Sequence, residues 1–147
     1  LRLKAETAWA NVARLQILGH SNAPRIPIFS FTATASDGTR IHHQLVTRML
    51  SDLHGVQARG GCACAGPYAH RLLGIDQTQS DTFRADILAG NEMEKPGWTR
   101  LGFSPLMTDA KADQIIEAVI NVTNSSCTER AFYKVDKSTA RFSLEAA

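Results

Sequence analysis

The residues best suited to chemistry lie in segment 59–68 (RGGCACAGPY), where two thiols follow an arginine and precede a proline. A cysteine is nucleophilic as its thiolate, which a nearby arginine or a helix N-terminus stabilises. Pro67 suits the first turn of a helix, where its fixed φ and missing N–H cost no hydrogen bond. We therefore expect a strand that ends at Arg59, a tight glycine turn that holds the cysteines, and a helix that starts near Pro67.

The two thiols of this segment differ in their neighbours. Cys64 is closer to the expected helix start and is the candidate nucleophile, whereas Cys62 is expected to be a small buried hydrophobic residue. A metal module on the pair is an alternative, but zinc ligands normally have about two to four residues between paired cysteines, and here one residue separates them. The other available ligands, His54 and His70, are dispersed, so we predict no metal site.

Arg100 is a second candidate, because it lies in a β-rich run that begins at Trp98. An arginine on a strand usually faces water or forms an ion pair, and its functional alternative is bidentate capture of a carboxylate. The adjacent His42 and His43 point in different directions on a helix and cannot chelate one ion together. We interpret them as the capped, polar start of a helix.

The surrounding pattern predicts single strands separated by helices. Apolar spacing and helix propensity favour helices at 1–11, 40–53 and 67–73. Two further helices are expected, one with Ser80 as N-cap that ends at Gly90 and one capped by Thr108 or Asp109. Strands are expected at 15–18, 26–34, 56–59 and 98–103. Gly55 occupies the position of a left-handed helix C-cap. This order predicts an α+β fold, in which a small, mostly antiparallel sheet has helices packed on one face.

Composition narrows the class of protein. The chain has 147 residues, which suits one domain, and 44% of them are hydrophobic. The net charge of +2 is too balanced to indicate a nucleic-acid or membrane-surface partner. No apolar run reaches the roughly 20 residues of a membrane helix, and no signal-peptide pattern is present. Two of the three cysteines, Cys62 and Cys64, are separated by one residue, which indicates a reduced compartment rather than a disulfide framework, so we expect a cytoplasmic protein.

Segment 59–67 resembles the pattern Arg-x-Gly-x-x-Cys-Ala-x-Pro of the class V aminotransferase family, in the branch of cysteine desulfurases and selenocysteine lyases. Residues 53–59 and 67–74 are similar to the family's elements on either side of this turn. Residues 95–103 are similar to its strand with the substrate arginine, and residues 109–122 to its final helix. The resemblance extends over nearly the whole chain.

The resemblance implies a pyridoxal-phosphate enzyme of fold type I, of which residues 1–147 would be the small C-terminal domain. The Schiff-base lysine and the cofactor-binding groups belong to a large domain that this chain lacks, so we expect no cofactor here and no activity of the chain alone. The start at Leu1, inside a helical pattern without a cap, agrees with this expectation. The expected partners are that large domain, a small amino-acid substrate and a second copy of the parent in a homodimer.

Three residues acquire roles from the resemblance. Cys64 matches the desulfurase nucleophile that takes sulfur from cysteine as a persulfide, and Arg100 matches the arginine that binds the substrate α-carboxylate. Arg59 matches the arginine that precedes the loop. Ala63 stands where desulfurases often have histidine, so aminotransferase-like and lyase reactions stay open. A separate alternative is a stand-alone sulfur carrier or binding module that uses Cys64.

Overall fold

The computed structural model describes residues 1–19, 24–61 and 66–145, and it has the expected α+β fold. Of these described residues, 47% are in helices, the short 3-10 helix Glu92–Glu94 included, and 21% are in strands. The helices are α1 (Arg2–Trp9), α2 (His43–His54), α3 (Gly66–Leu73), α4 (Gln77–Leu88), α5 (Asp109–Asn124) and α6 (Cys127–Ala131). The strands are β1 (Leu15–Leu18), β2 (Ile28–Thr34), β3 (Arg40–Ile41), β4 (Arg59–Gly61), β5 (Trp98–Gly102), β6 (Tyr133–Asp136) and β7 (Arg141–Leu144).

The main sheet is antiparallel at each of its described pairings. Its strand order is β1-β2-β5-β4, and the short β3 pairs with the C-terminal end of β2. Strands β6 and β7 form a separate antiparallel hairpin. Since β2 and β5 are the two inner strands, Thr99 and Arg100 of β5 have a paired residue on both sides.

One face of the main sheet forms the hydrophobic core. Phe29 and Phe31 of β2 are fully buried against α1, α2 and α5, in agreement with the alternation expected for this strand. Trp9 of α1 packs edge-to-face on Phe29, with the ring centroids 5.0 Å apart, and its Nε1–H donates to the Ile116 carbonyl of α5 at 3.2 Å. A single aromatic cluster therefore joins α1, the sheet and α5.

The opposite face of the sheet has a smaller apolar cluster. Leu18 of β1, Trp98 of β5 and Ala69 of α3 are buried together, with the half-buried Leu72 and Leu73 beside them. The rest of this face has polar side chains from alternate strand positions. Helix α3 therefore covers only part of the face.

The starts of two helices differ from expectation. Arg40–Ile41 is a strand rather than the start of a helix, because the turn closed by the Ala35 N–H bond to the Thr39 carbonyl returns the chain alongside β2. Ser80 is not an N-cap, since Asp76 caps α4 in a reciprocal capping box with Gln79. Thr108 caps α5, and Gly55 has the predicted left-handed conformation with φ of 64°.

The C-terminal region holds α6 and the β6–β7 hairpin. Within the described ranges, no helix has both the length and the apolar character of a membrane span.

Candidate functional site

Strand β4 begins, rather than ends, at Arg59, and it contains the two glycines that were expected to form a turn. The reason is the close approach of α2. A Cβ on Gly60 would lie 2.9 Å from Oε1 of Gln44 and 3.1 Å from the carbonyl oxygen of His43. The Gly60 carbonyl in turn accepts a hydrogen bond from Nε2 of Gln44 at 3.4 Å. The glycine therefore lets the first turn of α2 contact β4 directly.

The strand register brings the two predicted arginines together. Arg59 of β4 lies directly opposite Arg100 of β5, and Ser30 of β2 lies opposite Arg100 on the other side. Directly paired residues of an antiparallel sheet project to the same face with Cβ atoms about 5 Å apart. Arg100 is half-buried and Arg59 is exposed. The three side chains thus form a polar row, Ser30–Arg100–Arg59, on the sheet face opposite the core.

The charge of this row is not neutralised within the described part of the chain. None of the ion pairs found there includes Arg59 or Arg100. Like charges directly opposite each other on neighbouring strands destabilise a sheet. A carboxylate or another small anion between the two guanidinium groups would remove that repulsion and accept several charge-assisted hydrogen bonds.

Cys62 and Cys64 lie outside the described residues, in the segment that joins β4 to α3. The geometry of the candidate nucleophile Cys64 is therefore not tested, and its role stays a prediction. Among the described residues, no group of three or more His, Cys, Asp and Glu side chains is arranged to hold a metal ion. Both ring nitrogens of His70, one of the ligands considered for zinc, have other hydrogen-bond partners.

The histidine pair at the start of α2 forms a stacked cluster. His42 is the N-cap, and its Nδ1 accepts the N–H of Gln44 at 3.2 Å, which confirms the interpretation of a capped helix start. The His42 and His43 rings are stacked with centroids 4.3 Å apart. Gly97 allows this arrangement, because a Cβ there would lie 2.7 Å from Cε1 of His43.

Burial makes His43 a weak base. Loss of hydration, together with the neighbouring His42, lowers the pKa of His43 from 6.5 to about 3, so the ring is neutral at pH 7. Burial also lowers the pKa of His42, against the opposing effects of the Met93 carbonyl and Glu94. That carbonyl lies near His42, yet no described group meets hydrogen-bond geometry at the buried Nε2.

The histidine pair lines a cavity of about 460 Å³ between the start of α2, the end of α3 and α4. Arg40, Glu94 and Lys95 supply its charged groups, and Phe83 is among its apolar ones. No local sequence pattern indicates this cavity, because it forms only when segment 94–97 lies against the start of α2.

Comparisons of the chain with protein-family models, with curated proteins and with solved structures found no match.

Proposed function

We propose that this chain is the carboxylate-binding domain of a cytoplasmic, pyridoxal-phosphate-dependent enzyme of the class V aminotransferase type, which acts on a small amino acid. The observation that supports this proposal is the register pairing of Arg59 with Arg100 on an open sheet face, without a described acidic partner. The sequence resemblance matches Arg100 to the family's substrate arginine and Arg59 to the arginine that precedes its loop. A shared position on one face is what a common carboxylate ligand requires.

The two arginines have different tasks in this proposal. Arg100 lies on an inner strand between β2 and β4, so its backbone is held on both sides, and its half-buried guanidinium offers a fixed fork to a carboxylate. Arg59 is exposed on the neighbouring strand and adds positive potential, which attracts the substrate and is screened by salt. The hydroxyl of Ser30 is a further donor beside Arg100.

The lysines of this chain do not fit the cofactor. A Schiff-base lysine is normally desolvated in an apolar pocket or placed next to another cation. The five lysines here are all exposed. Lys95 lines the 460 Å³ cavity, but its Nζ is paired with Glu92 at 3.3 Å. The proposal therefore assigns pyridoxal phosphate to a large domain outside this chain, in a homodimeric parent enzyme, and gives Cys64 the part of a nucleophile beside the bound substrate.

Binding of a minimal amino acid tests the proposal directly. We expect L-alanine, titrated at low ionic strength and followed by backbone amide NMR shifts, to perturb β4 and β5. L-alaninamide, which lacks the carboxylate, should not perturb them. Arg100→Gln should weaken alanine binding by at least about 10-fold, because a hydrogen bond to a charged group contributes about 1.5–3 kcal/mol.

The matched control is Arg141→Gln, an exposed arginine of the separate β6–β7 hairpin, which should leave the affinity unchanged. Equal binding of alanine and alaninamide, or an Arg100→Gln variant that binds as wild type, would contradict the proposal.

A further inference from the structure

A serine and a histidine form a hydrogen-bonded chain between α3 and α4. Nδ1 of His70 lies 2.6 Å from the carbonyl oxygen of Gly66, and its Nε2 lies 2.8 Å from Oγ of Ser80. A carbonyl oxygen can only accept, so Nδ1 carries the proton of the neutral ring. Nε2 is then the acceptor, and the Ser80 hydroxyl donates to it.

This arrangement has the three parts of an activated nucleophile. Such a site consists of a hydroxyl, a base within hydrogen-bond reach, and a third group that fixes the orientation and tautomer of the base. Here the Gly66 carbonyl takes the place that a carboxylate holds in a catalytic triad. Both side chains are half-buried, so the pair keeps access to solvent.

The elements that hold the pair restrict its movement. His70 lies one helical turn after Gly66 on α3, so its ring bonds to its own helix. Ser80 lies in the first turn of α4, where its N–H donates to the Asp76 carbonyl and the capping box fixes the turn. The oxygen and the imidazole are therefore each positioned by a helix rather than by a loop.

Cavities lie on both sides of the pair. An apolar cavity of about 260 Å³ is lined by His70 and Ser80 together with Phe83, Ile87 and Pro96. A second cavity, of about 410 Å³, is lined by the same pair together with Asp76 and Gln77. The reactive oxygen thus borders an apolar space that suits a short acyl group and a more polar space that suits a leaving group.

We propose that Ser80, activated by His70, is a nucleophile that accepts short acyl groups from esters. Oγ of Ser80 forms a bond to the ester carbonyl carbon while its proton passes to Nε2 of His70. The bond from that carbon to the alkoxy oxygen breaks, and His70 returns the proton to the departing alcohol. Water, deprotonated by the same nitrogen, then cleaves the acyl-serine and regenerates the hydroxyl. Neither residue belongs to the arginine row, so this activity is independent of carboxylate binding.

The decisive experiment compares two serines within one folded molecule. The wild-type chain is treated with a fluorophosphonate and, separately, with p-nitrophenyl butyrate, and mass spectrometry measures adduct formation at each serine. We expect Ser80 to react at least about 100-fold faster than the exposed Ser104, the range typical of general-base assistance. His70→Gln should remove that advantage, whereas Ser104→Ala should leave the rate at Ser80 unchanged.

Equal reaction rates at Ser80 and Ser104 of the wild-type protein would overturn the proposal. The hydrogen bonds of His70 would then only connect α3 to α4. Since this comparison needs no variant, it does not depend on whether a His70 substitution folds. A Ser80 rate that persists in a folded His70→Gln variant would equally contradict the role of His70 as base.

Discussion

On one face of the main sheet, Phe29 and Phe31 are fully buried against three helices, whereas on the other face Ser30 and Arg100 are only half-buried. One strand, β2, supplies both faces from alternate residues. The packed face contributes most of the apolar burial, and the open face presents unneutralised charge. Stability and the proposed chemistry are therefore separated here by the two-residue period of a strand.

The largest expected difference in stability is between variants of two neighbouring residues of β2. Phe31→Ala removes a fully buried ring from the core and should lower the free energy of unfolding by about 3–5 kcal/mol. Ser30→Ala, on the open face, should change it by no more than about 0.5 kcal/mol. Urea denaturation of both variants measures the difference, and similar losses for the two would refute the division between the faces.

Gly97→Ala tests the packing that joins β5 to the histidine pair. The new Cβ would lie 2.7 Å from the His43 ring and 2.8 Å from the Gly61 backbone, so we expect a loss of about 1–3 kcal/mol in unfolding free energy. Gly66→Ala is the control, since no atom of the described residues outside its local chain lies within 4 Å of a Cβ there. Thermal denaturation that ranks the two variants equally would show that Gly97 has no packing role.

The pH dependence of stability tests the burial of His43. Its pKa is about 3 in the folded chain and 6.5 when unperturbed, so between these values the unfolded state binds more protons. The contribution of His43 to the free energy of unfolding is therefore fully present above pH 6.5. It falls on acidification by at most about 1.4 kcal/mol per pH unit. His42, whose pKa is also lowered, acts in the same direction.

His43→Gln should reduce this slope between pH 7 and pH 5, a window above the titration of ordinary carboxylates. Urea denaturation at both pH values gives the slope. An unchanged slope in the variant would mean that His43 is not buried as a neutral ring.

The sequence predicted local features well and contacts between distant segments poorly. The β2 alternation, the Gly55 cap and the apolar stripe of α2 follow from neighbouring residues alone. The role of Gly60 depends on how α2 approaches β4, and the burial of His43 depends on Gly97. Those contacts are decided by tertiary packing, which no local pattern encodes.

The candidate site was predicted in the same uneven way. Arg59 and Arg100 were identified separately, but their direct pairing depends on strand register. The His70–Ser80 contact was missed because Ser80 was interpreted as a helix cap.

Arg59→Gln should have a small effect on stability, and one of opposite sign to the core and glycine variants. Removing one of two directly opposed like charges should raise the free energy of unfolding by about 0.2–1 kcal/mol, while carboxylate binding weakens. Urea denaturation at low ionic strength measures the gain, which should shrink in high salt. A loss of stability at low salt would indicate that Arg59 has a stabilising partner and is not held for a ligand.

The central claim is that the guanidinium groups of Arg59 and Arg100 share a carboxylate ligand. The most direct test is the NMR signal of each arginine Nε–H during titration with L-alanine and, in parallel, L-alaninamide. We expect the signals of Arg59 and Arg100 to shift together during the alanine titration, with one dissociation constant. Neither signal should shift with alaninamide, and the signal of Arg141 should not shift with either compound. Identical responses to both compounds, or a shift at neither residue of the pair, would contradict it.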